Sequence, residues 1–240
     1  MKKIDIHCHI LPGIDDGASS YRESLKMLEI ACAEGTTDII ATPHYHYKRG
    51  KASPEEILDR VDELQERARE RKIPVRIHSG NELYYTHDLL KNLKAGNALT
   101  LAESDYVLLE FSIREERRTI RNAVYEFLSE GYYPILAHVE RYPVFRKDIE
   151  FLKDIHEMGA YAQVNADSFF VQAGWDVLRF SQKIMKENLV QFVATDAHDT
   201  EKYRPELQKW SQRMERRYGK ETCGKYLFEN PEKILKNMEL

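Results

Sequence analysis

The sequence predicts a closed α/β barrel of parallel strands, on two observations. Short apolar runs alternate with amphipathic helical segments along all 240 residues, and strict β/α alternation implies right-handed crossovers and a parallel sheet. Histidines and carboxylates also fall at or just beyond the ends of those apolar runs, the rim where barrel proteins gather their chemistry. One domain spanning residues 1–240 is expected, because the length suits a single barrel and no repeat, low-complexity tract or linker interrupts it.

Seven segments read as strands: Lys3–Cys8, Thr37–Thr42, Pro74–Ser79, Tyr106–Glu110, Tyr133–His138, Ala160–Asn165 and Gln191–Thr195. Most are continuous apolar runs, as expected of strands covered on both faces. Helical patterns lie between them. Ser53-Pro54-Glu55-Glu56 opens one with a capping hydroxyl, a first-turn proline and acids near the positive end of the dipole. Its Ile57, Val61, Leu64 and Ala68 recur at helical spacing, with charged residues on the other face. Arg22–Glu34, Glu116–Glu130, Lys147–Met158, Trp175–Glu187 and Glu206–Arg217 read similarly, and Gly35, Gly131 and Gly159 stand at C-cap positions.

Composition excludes several classes. Net charge is −4, from 36 basic against 40 acidic residues, so no global basic footprint for nucleic acid exists. Arg114, Arg117, Arg118 and Arg121 are interleaved with acids and read as a solvated helix face. Three cysteines, Cys8, Cys32 and Cys223, form no pairable framework and fit a reducing compartment. Met1-Lys2-Lys3 runs directly into a strand, and no apolar segment approaches the ~20 residues of a membrane span. A cytoplasmic protein without direct membrane insertion is the expectation.

The candidate functional residues are His7, His9, Asp16, His44, Glu82, Glu110, His138, Asp196 and His198. In His7-Cys8-His9 the two imidazoles lie two apart on a strand and share a face, leaving Cys8 toward the wall. Asp15 and Asp16 follow in a Gly13-Ile14-Asp15-Asp16-Gly17 turn, where either carboxylate can fold back over the strand end or serve turn chemistry. His44 closes Ala41-Thr42-Pro43-His44, with His46 two further on as ligand, substrate contact or surface. Glu82 and Glu110 end apolar stretches, where a carboxylate is costly unless paired or metal-bound. His138 ends Pro134-Ile135-Leu136-Ala137-His138, and Asp196 and His198 form a second spaced pair. Six of the seven strands thus carry an acid or imidazole at the C-terminal end. Nine such groups exceed what one ion can use, and oxygen and imidazole donors without thiolate suit Mn²⁺, Fe²⁺ or Zn²⁺. His78, His87 and His156 lie away from strand ends and read as structural or exposed.

In this order the motifs H-x-H, a downstream Asp, T-P-H, an isolated Glu, L-x-E, A-H-x-E-R and T-D-A-H resemble the polymerase-and-histidinol-phosphatase (PHP) superfamily. Ile6-His7-Cys8-His9-Ile10-Leu11-Pro12, Asp15-Asp16-Gly17, Ala41-Thr42-Pro43-His44 and His138-Val139-Glu140-Arg141-Tyr142 resemble one branch of it. That branch is the CpsB/CapC-type manganese-dependent tyrosine-protein phosphatases of capsule and exopolysaccharide operons. The resemblance covers the whole chain and implies a distorted (β/α)7 TIM-like barrel with three divalent ions, Mn²⁺ in that branch. One ion would take His7, His9, Glu82 and Asp196; another Glu82, Glu110 and His138; the third Asp16, His44 and His198. Arg141 would bind phosphate, with Arg204 as a second candidate. The implied substrate is the tyrosine cluster at the C-terminal tail of a phosphorylated bacterial tyrosine kinase. Tyr45, Tyr47, Lys48, Arg49, Lys51, Tyr84 and Tyr85 are candidates for the rim that receives it.

The expected reaction is in-line attack on phosphorus by a hydroxide bridging the metals, with Arg141 clamping the phosphoryl oxygens and His44 or Asp196 as proton donor. A cysteine-based route needs a C-x₅-R loop, and six residues after Cys8, Cys32 and Cys223 stand Ile14, Asp38 and Glu229. The nearest rival is a small-molecule phosphatase of the same superfamily, of the histidinol-phosphate type. A nuclease is disfavoured by charge, and a non-catalytic relative by the completeness of the ligand set.

Overall fold

Seven parallel staves close on themselves in the structure, a computed structural model that describes residues 1–46 and 51–240. The strands are β1 (Lys3–Cys8), β2 (Thr36–Ala41), β3 (His44–Tyr45), β4 (Arg76–Ser79), β5 (Glu82–Tyr84), β6 (Tyr106–Glu110), β7 (Tyr133–Leu136), β8 (Tyr161–Asn165) and β9 (Phe192–Ala194). They form two parallel sheets, β1-β2-β4 and β3-β5-β6-β7-β8-β9. β3 continues β2, and β5 continues β4, so nine segments make the seven expected staves.

The two interruptions have local causes. Pro43 lacks the N–H that a continuous ladder needs between Ala41 and His44. At Gly80 the backbone passes so close to its neighbours that a Cβ would stand 3.1 Å from the Ile40 and Leu101 side chains. Beyond each break the strand re-pairs, His44 opposite Glu82 and Tyr84 opposite Glu110. Two ligand-type residues, His44 and Glu82, therefore stand opposite each other on adjacent staves. Closure runs between β1 and the segment after β9, through a parallel bridge of Cys8 with Ala197. There the His9 N–H donates to the Ala197 carbonyl (2.8 Å), and the Asp196 N–H to the His7 carbonyl (2.8 Å).

The helices are α1 (Tyr21–Ala33), α2 (Pro54–Glu70), α3 (Leu89–Lys94), α4 (Arg117–Ser129), α5 (Pro143–Lys147), α6 (Ile149–Glu157), α7 (Trp175–Lys186), α8 (Gln208–Tyr218), α9 (Lys220–Gly224) and α10 (Asn230–Leu235). The six read from the sequence are present within a few residues. On α2, Ser53 accepts a hydrogen bond from the Glu56 N–H, and Ile57, Val61, Leu64 and Ala68 are the buried face. Gly35, Gly131 and Gly159 all have positive φ just past a helix, the left-handed conformation that ends one.

Ile4, Ile6, Ile40, Leu108, Ile135 and Phe192, from five staves, meet in a common core that Ile234 of α10 joins. The C-terminal segment closes the end of the barrel away from the ligand-type residues. Tyr106 Oη donates to the Met238 carbonyl (2.8 Å), and Asn230 Nδ2 to that of Gln191 (2.7 Å). With one end plugged, chemistry is confined to the other. No helix among the described residues is long and apolar enough to cross a membrane.

Candidate metal centre

All nine predicted ligand residues converge on the C-terminal rim. His7 Nε2 lies 3.3 Å from Glu82 Oε1 and 3.2 Å from Asp196 Oδ1; His9 Nε2 lies 3.5 and 3.4 Å from the same two carboxylates. Glu82 also reaches His44 Nδ1 (2.7 Å) and His138 Nε2 (2.9 Å), which makes it the hub. Glu110 stands 3.7 Å from His44 and 3.9 Å from His138. Asp16 approaches His44 Nε2 (3.2 Å) and His198 Nε2 (3.6 Å), while the His198 ring stacks on His9 at 4.0 Å. Three sets of donor atoms are close enough to share an ion: His7–His9–Glu82, His44–Glu82–Glu110, and His9–Asp16–His44–His198.

The tautomers decide whether these residues fit cations. His9 Nδ1 lies 2.7 Å from Asp15 Oδ2, an acceptor, so Nδ1 carries the proton and Nε2 presents a lone pair. His7 Nδ1 lies 3.2 Å from Gln163 Oε1, which also accepts the His138 N–H (2.8 Å), so that oxygen is an acceptor and His7 Nε2 is a lone pair too. These two Nε2 atoms face each other at 3.2 Å, in front of two carboxylates. In their neutral tautomers the two lone pairs converge on one point, which a cation would satisfy; without one, and despite burial, the surrounding carboxylates favour a proton on these rings instead. Among the described residues, Nδ1 of His138 is buried and makes no hydrogen bond within the protein, and the only partners of the buried His44 nitrogens are the carboxylates of Glu82, Glu110 and Asp16, consistent with the same need.

Electrostatics point the same way. Burial favours a protonated Glu82, yet His7, His138 and His44 hold it well below the ordinary carboxylate range. Burial likewise opposes ionisation of Asp196, and His7, His9 and Arg141 outweigh it. Burial disfavours the charged form of His7, but Glu82 and Asp196 raise its pKa. The cleft is a place where fixed negative charge attracts positive charge.

The sequence left Asp15 and Asp16 open between them, and their environments differ. Asp15 is buried, accepts from the His44 N–H (2.9 Å) and the Gly17 N–H (2.9 Å), and faces His9; burial notwithstanding, His9 lowers it to about 2. Asp16 is 55% exposed and faces the other two imidazoles. Asp15 orients, and Asp16 presents a free face to an ion. Gly17 makes this turn possible, because a Cβ there would lie 2.1 Å from the His9 carbonyl oxygen. His138 and Asp196 adopt left-handed backbone, φ +36° and +53°, which turns each side chain off the end of its stave.

Several partners carried no sequence signal. Gln163 Nε2 donates to Asn165 Oδ1 (2.8 Å), and Asn165 Nδ2 to Asp196 Oδ2 (2.8 Å), an amide chain behind the ligands. Arg141 Nη1 pairs with the same Asp196 oxygen at 3.0 Å, and its side chain stays 40% exposed at the rim. Arg204 pairs with Glu206 (3.1 Å), and His46 stands edge-on to Tyr84 at 4.2 Å. Of the expected rim, Tyr45 is buried in the core under Lys51, whose Nζ sits 5.0 Å from its ring, so it offers no ring to a substrate. Tyr47, Lys48 and Arg49 lie outside the described residues. Cys8 is buried in the wall, and burial pushes its thiol well above the usual range, which makes it no nucleophile.

A parallel barrel whose rim gathers imidazoles and carboxylates into shared cation sites defines a metal-dependent hydrolase. The chain belongs to the family described as capsular polysaccharide synthesis, CpsB/CapC, which it matches over residues 3–236. It is 32% identical to the tyrosine-protein phosphatase YwqE of Bacillus subtilis (strain 168), over 99% of this chain and 93% of that protein. It is 34% identical to the tyrosine-protein phosphatase CpsB of Streptococcus agalactiae, over 98% of each. Among solved structures, one reported with YwqE of Bacillus subtilis and CpsB of Streptococcus pneumoniae as unique metal-dependent tyrosine phosphatases superposes with a TM-score of 0.93 at 32% identity, covering 98% of this chain and 95% of that one. Histidinol phosphate phosphatase from Lactococcus lactis shares the fold, with a TM-score of 0.60 at 15% identity over 96% of this chain and 98% of that one.

Proposed function

We propose that this chain is a single-domain, manganese-dependent protein-tyrosine phosphatase. In this reading it acts in the cytoplasm on the phosphorylated tail of a bacterial tyrosine kinase that controls capsule or exopolysaccharide assembly. The observation that carries the chemistry is the pair of imidazole Nε2 atoms facing each other at 3.2 Å before Glu82 and Asp196. The relatives' names and the family's tie to capsular polysaccharide synthesis support the substrate.

His7, His9, Glu82 and Asp196 would hold one ion, Glu82, Glu110 and His138 a second, and Asp16, His44 and His198 a third. Their oxygen and imidazole donors suit Mn²⁺. Bound divalent ions supply Lewis acidity, which makes a hydroxide available near neutral pH for in-line attack and offsets charge on the phosphoryl oxygens. Arg141, anchored to Asp196 and exposed at the rim, clamps those oxygens by charge-assisted hydrogen bonds. Asp196 fixes that guanidinium, and Asn165 fixes Asp196. Arg204 is a second candidate contact for phosphate. The phenolate leaves readily, so proton donation by His44 is a minor contribution, and Asp196, held ionised against burial by His7, His9 and Arg141, has no proton to give.

The test is hydrolysis by chelator-stripped protein reloaded with Mn²⁺, Zn²⁺ or Mg²⁺, using phosphotyrosine peptide, phosphoserine peptide and histidinol phosphate side by side. The expected result is activity restored best by Mn²⁺ and confined to phosphotyrosine. Preference for histidinol phosphate would keep the metal centre and overturn the signalling role.

A further inference from the structure

Outside the metal centre, a cavity of about 430 Å³ opens between α5 and α7. Pro143 and Phe180 supply its apolar surface, and Arg146, Lys147, Arg179 and Lys183 surround it with Asp176 as the one acid. We propose that this groove receives acidic or further phosphorylated residues of the substrate peptide, beyond the phosphotyrosine at the metal centre. The inference rests on the phosphatase reading above and extends it to the substrate's sequence.

Two observations support it. The first is continuity with the catalytic rim. Arg146 Nη1 donates to the backbone carbonyls of Glu140 (2.8 Å) and Arg141 (2.7 Å), so one wall of the groove is bonded to the turn that carries the phosphate-clamping arginine. Trp175, next in sequence to the lining residue Asp176, is 60% exposed.

The second is a contrast with the neighbouring groove between α4 and α6. That groove is also lined by arginines, Arg117, Arg118 and Arg121, but Asp148, Glu150 and Asp154 line it as well. Arg117 pairs with Asp148 at 2.7 Å and Arg121 with Asp154 at 2.9 Å, so two of its three arginines are answered from within. Among the described residues, no carboxylate comes within ion-pair distance of Lys147, Arg179 or Lys183. A groove of unanswered cations beside a phosphate-binding arginine is complementary to an anionic chain, and such complementarity steers encounter and sets specificity.

The experiment uses the Mn²⁺-loaded protein and two peptides of equal length, with phosphotyrosine flanked by Asp and Glu in one and by Gln and Ala in the other. Wild type, the double variant Arg179→Glu/Lys183→Glu and the control Arg118→Glu/Arg121→Glu are compared. The proposal expects wild type to prefer the acidic peptide, mostly through KM, with a preference that fades as salt rises. The groove variant should lose about tenfold of that preference, as two reversed surface charges would give, and the control should keep it. Equal loss in both variants, or an acidic-to-neutral ratio that Arg179→Glu/Lys183→Glu leaves unchanged, would overturn the groove. Absence of turnover on both peptides in wild type would instead overturn the phosphatase reading, and the groove with it.

Discussion

Two clusters of histidine and carboxylate occupy opposite ends of the barrel, and they are built on opposite principles. Near the start of β2, Asp38 is met by donors on both oxygens. Oδ1 receives Arg76 Nε (2.8 Å) and His78 Nε2 (3.0 Å), and Oδ2 receives Thr37 Oγ1 (2.8 Å) and Arg76 Nη2 (3.2 Å). At the other end, Glu82 and Asp196 face His7 and His9, whose Nδ1 atoms are already engaged elsewhere, by Gln163 and Asp15. Residue types alone do not separate a structural cluster from a metal centre. The direction in which each ring nitrogen is already engaged does.

The contrast breaks hardest at Glu82. It stands between four imidazoles, His7, His9, His44 and His138, and no other carboxylate reaches that many in the described residues. Glu82→Ala is expected to lower kcat by ~10³-fold or more, ~4 kcal/mol of barrier, and to reduce bound metal measured by elemental analysis. Activity within tenfold of wild type, with full metal content, would mean that the hub is merely a packed carboxylate.

Asp15 sharpens the comparison, because it separates orienting from ligating. If it fixes the His9 tautomer, Asp15→Asn should weaken metal affinity by ~10–100-fold while excess Mn²⁺ restores most of kcat. Titrating activity against free Mn²⁺ reads this directly. Loss that no metal concentration restores would make Asp15 a ligand and remove the distinction from Asp16.

The barrel and the ligand set were legible because both rest on strong local signals. Seven buried staves need continuous apolar runs, and a buried charge at a strand end such as Glu110 stands out against Tyr106-Val107-Leu108-Leu109. The break of two staves at Pro43 and Gly80 was not legible, since each reads as an ordinary strand terminus until pairing resumes on the far side. Nor were the roles of Asp15 and Asp16 separable. They share one turn, and what sorts them is the approach of Gly17 to the His9 backbone, a tertiary fact. Gln163 and Asn165 were silent for a different reason. Neutral amides inside an apolar strand have no pattern of their own, and their meaning comes only from the ligands they touch. The Arg179–Lys183 groove was invisible because α5, which forms its other wall, is only five residues long and joins the pattern of the helix that follows.

The smallest effect is expected at Asp38, and it is an effect on stability rather than catalysis. Burial raises its pKa, but His78, Thr37 and Arg76 outweigh this and hold it down to about 2. That lies below the ~3.9 of an unfolded aspartate, so the stabilisation is fully present above that value and is lost as pH falls toward 2. Asp38→Asn should therefore cost on the order of 1–2 kcal/mol at pH 7, the partly exposed partners keeping the figure low, and lower Tm by a few degrees. The difference from wild type should shrink as both are acidified through pH 4. Specific activity and metal content of the folded variant should match wild type, since both Asp38 oxygens are served by the protein itself. A metal-dependent loss of kcat in Asp38→Asn would show that the two ends of the barrel are coupled, and that a cluster satisfied from within can still govern the one that is not.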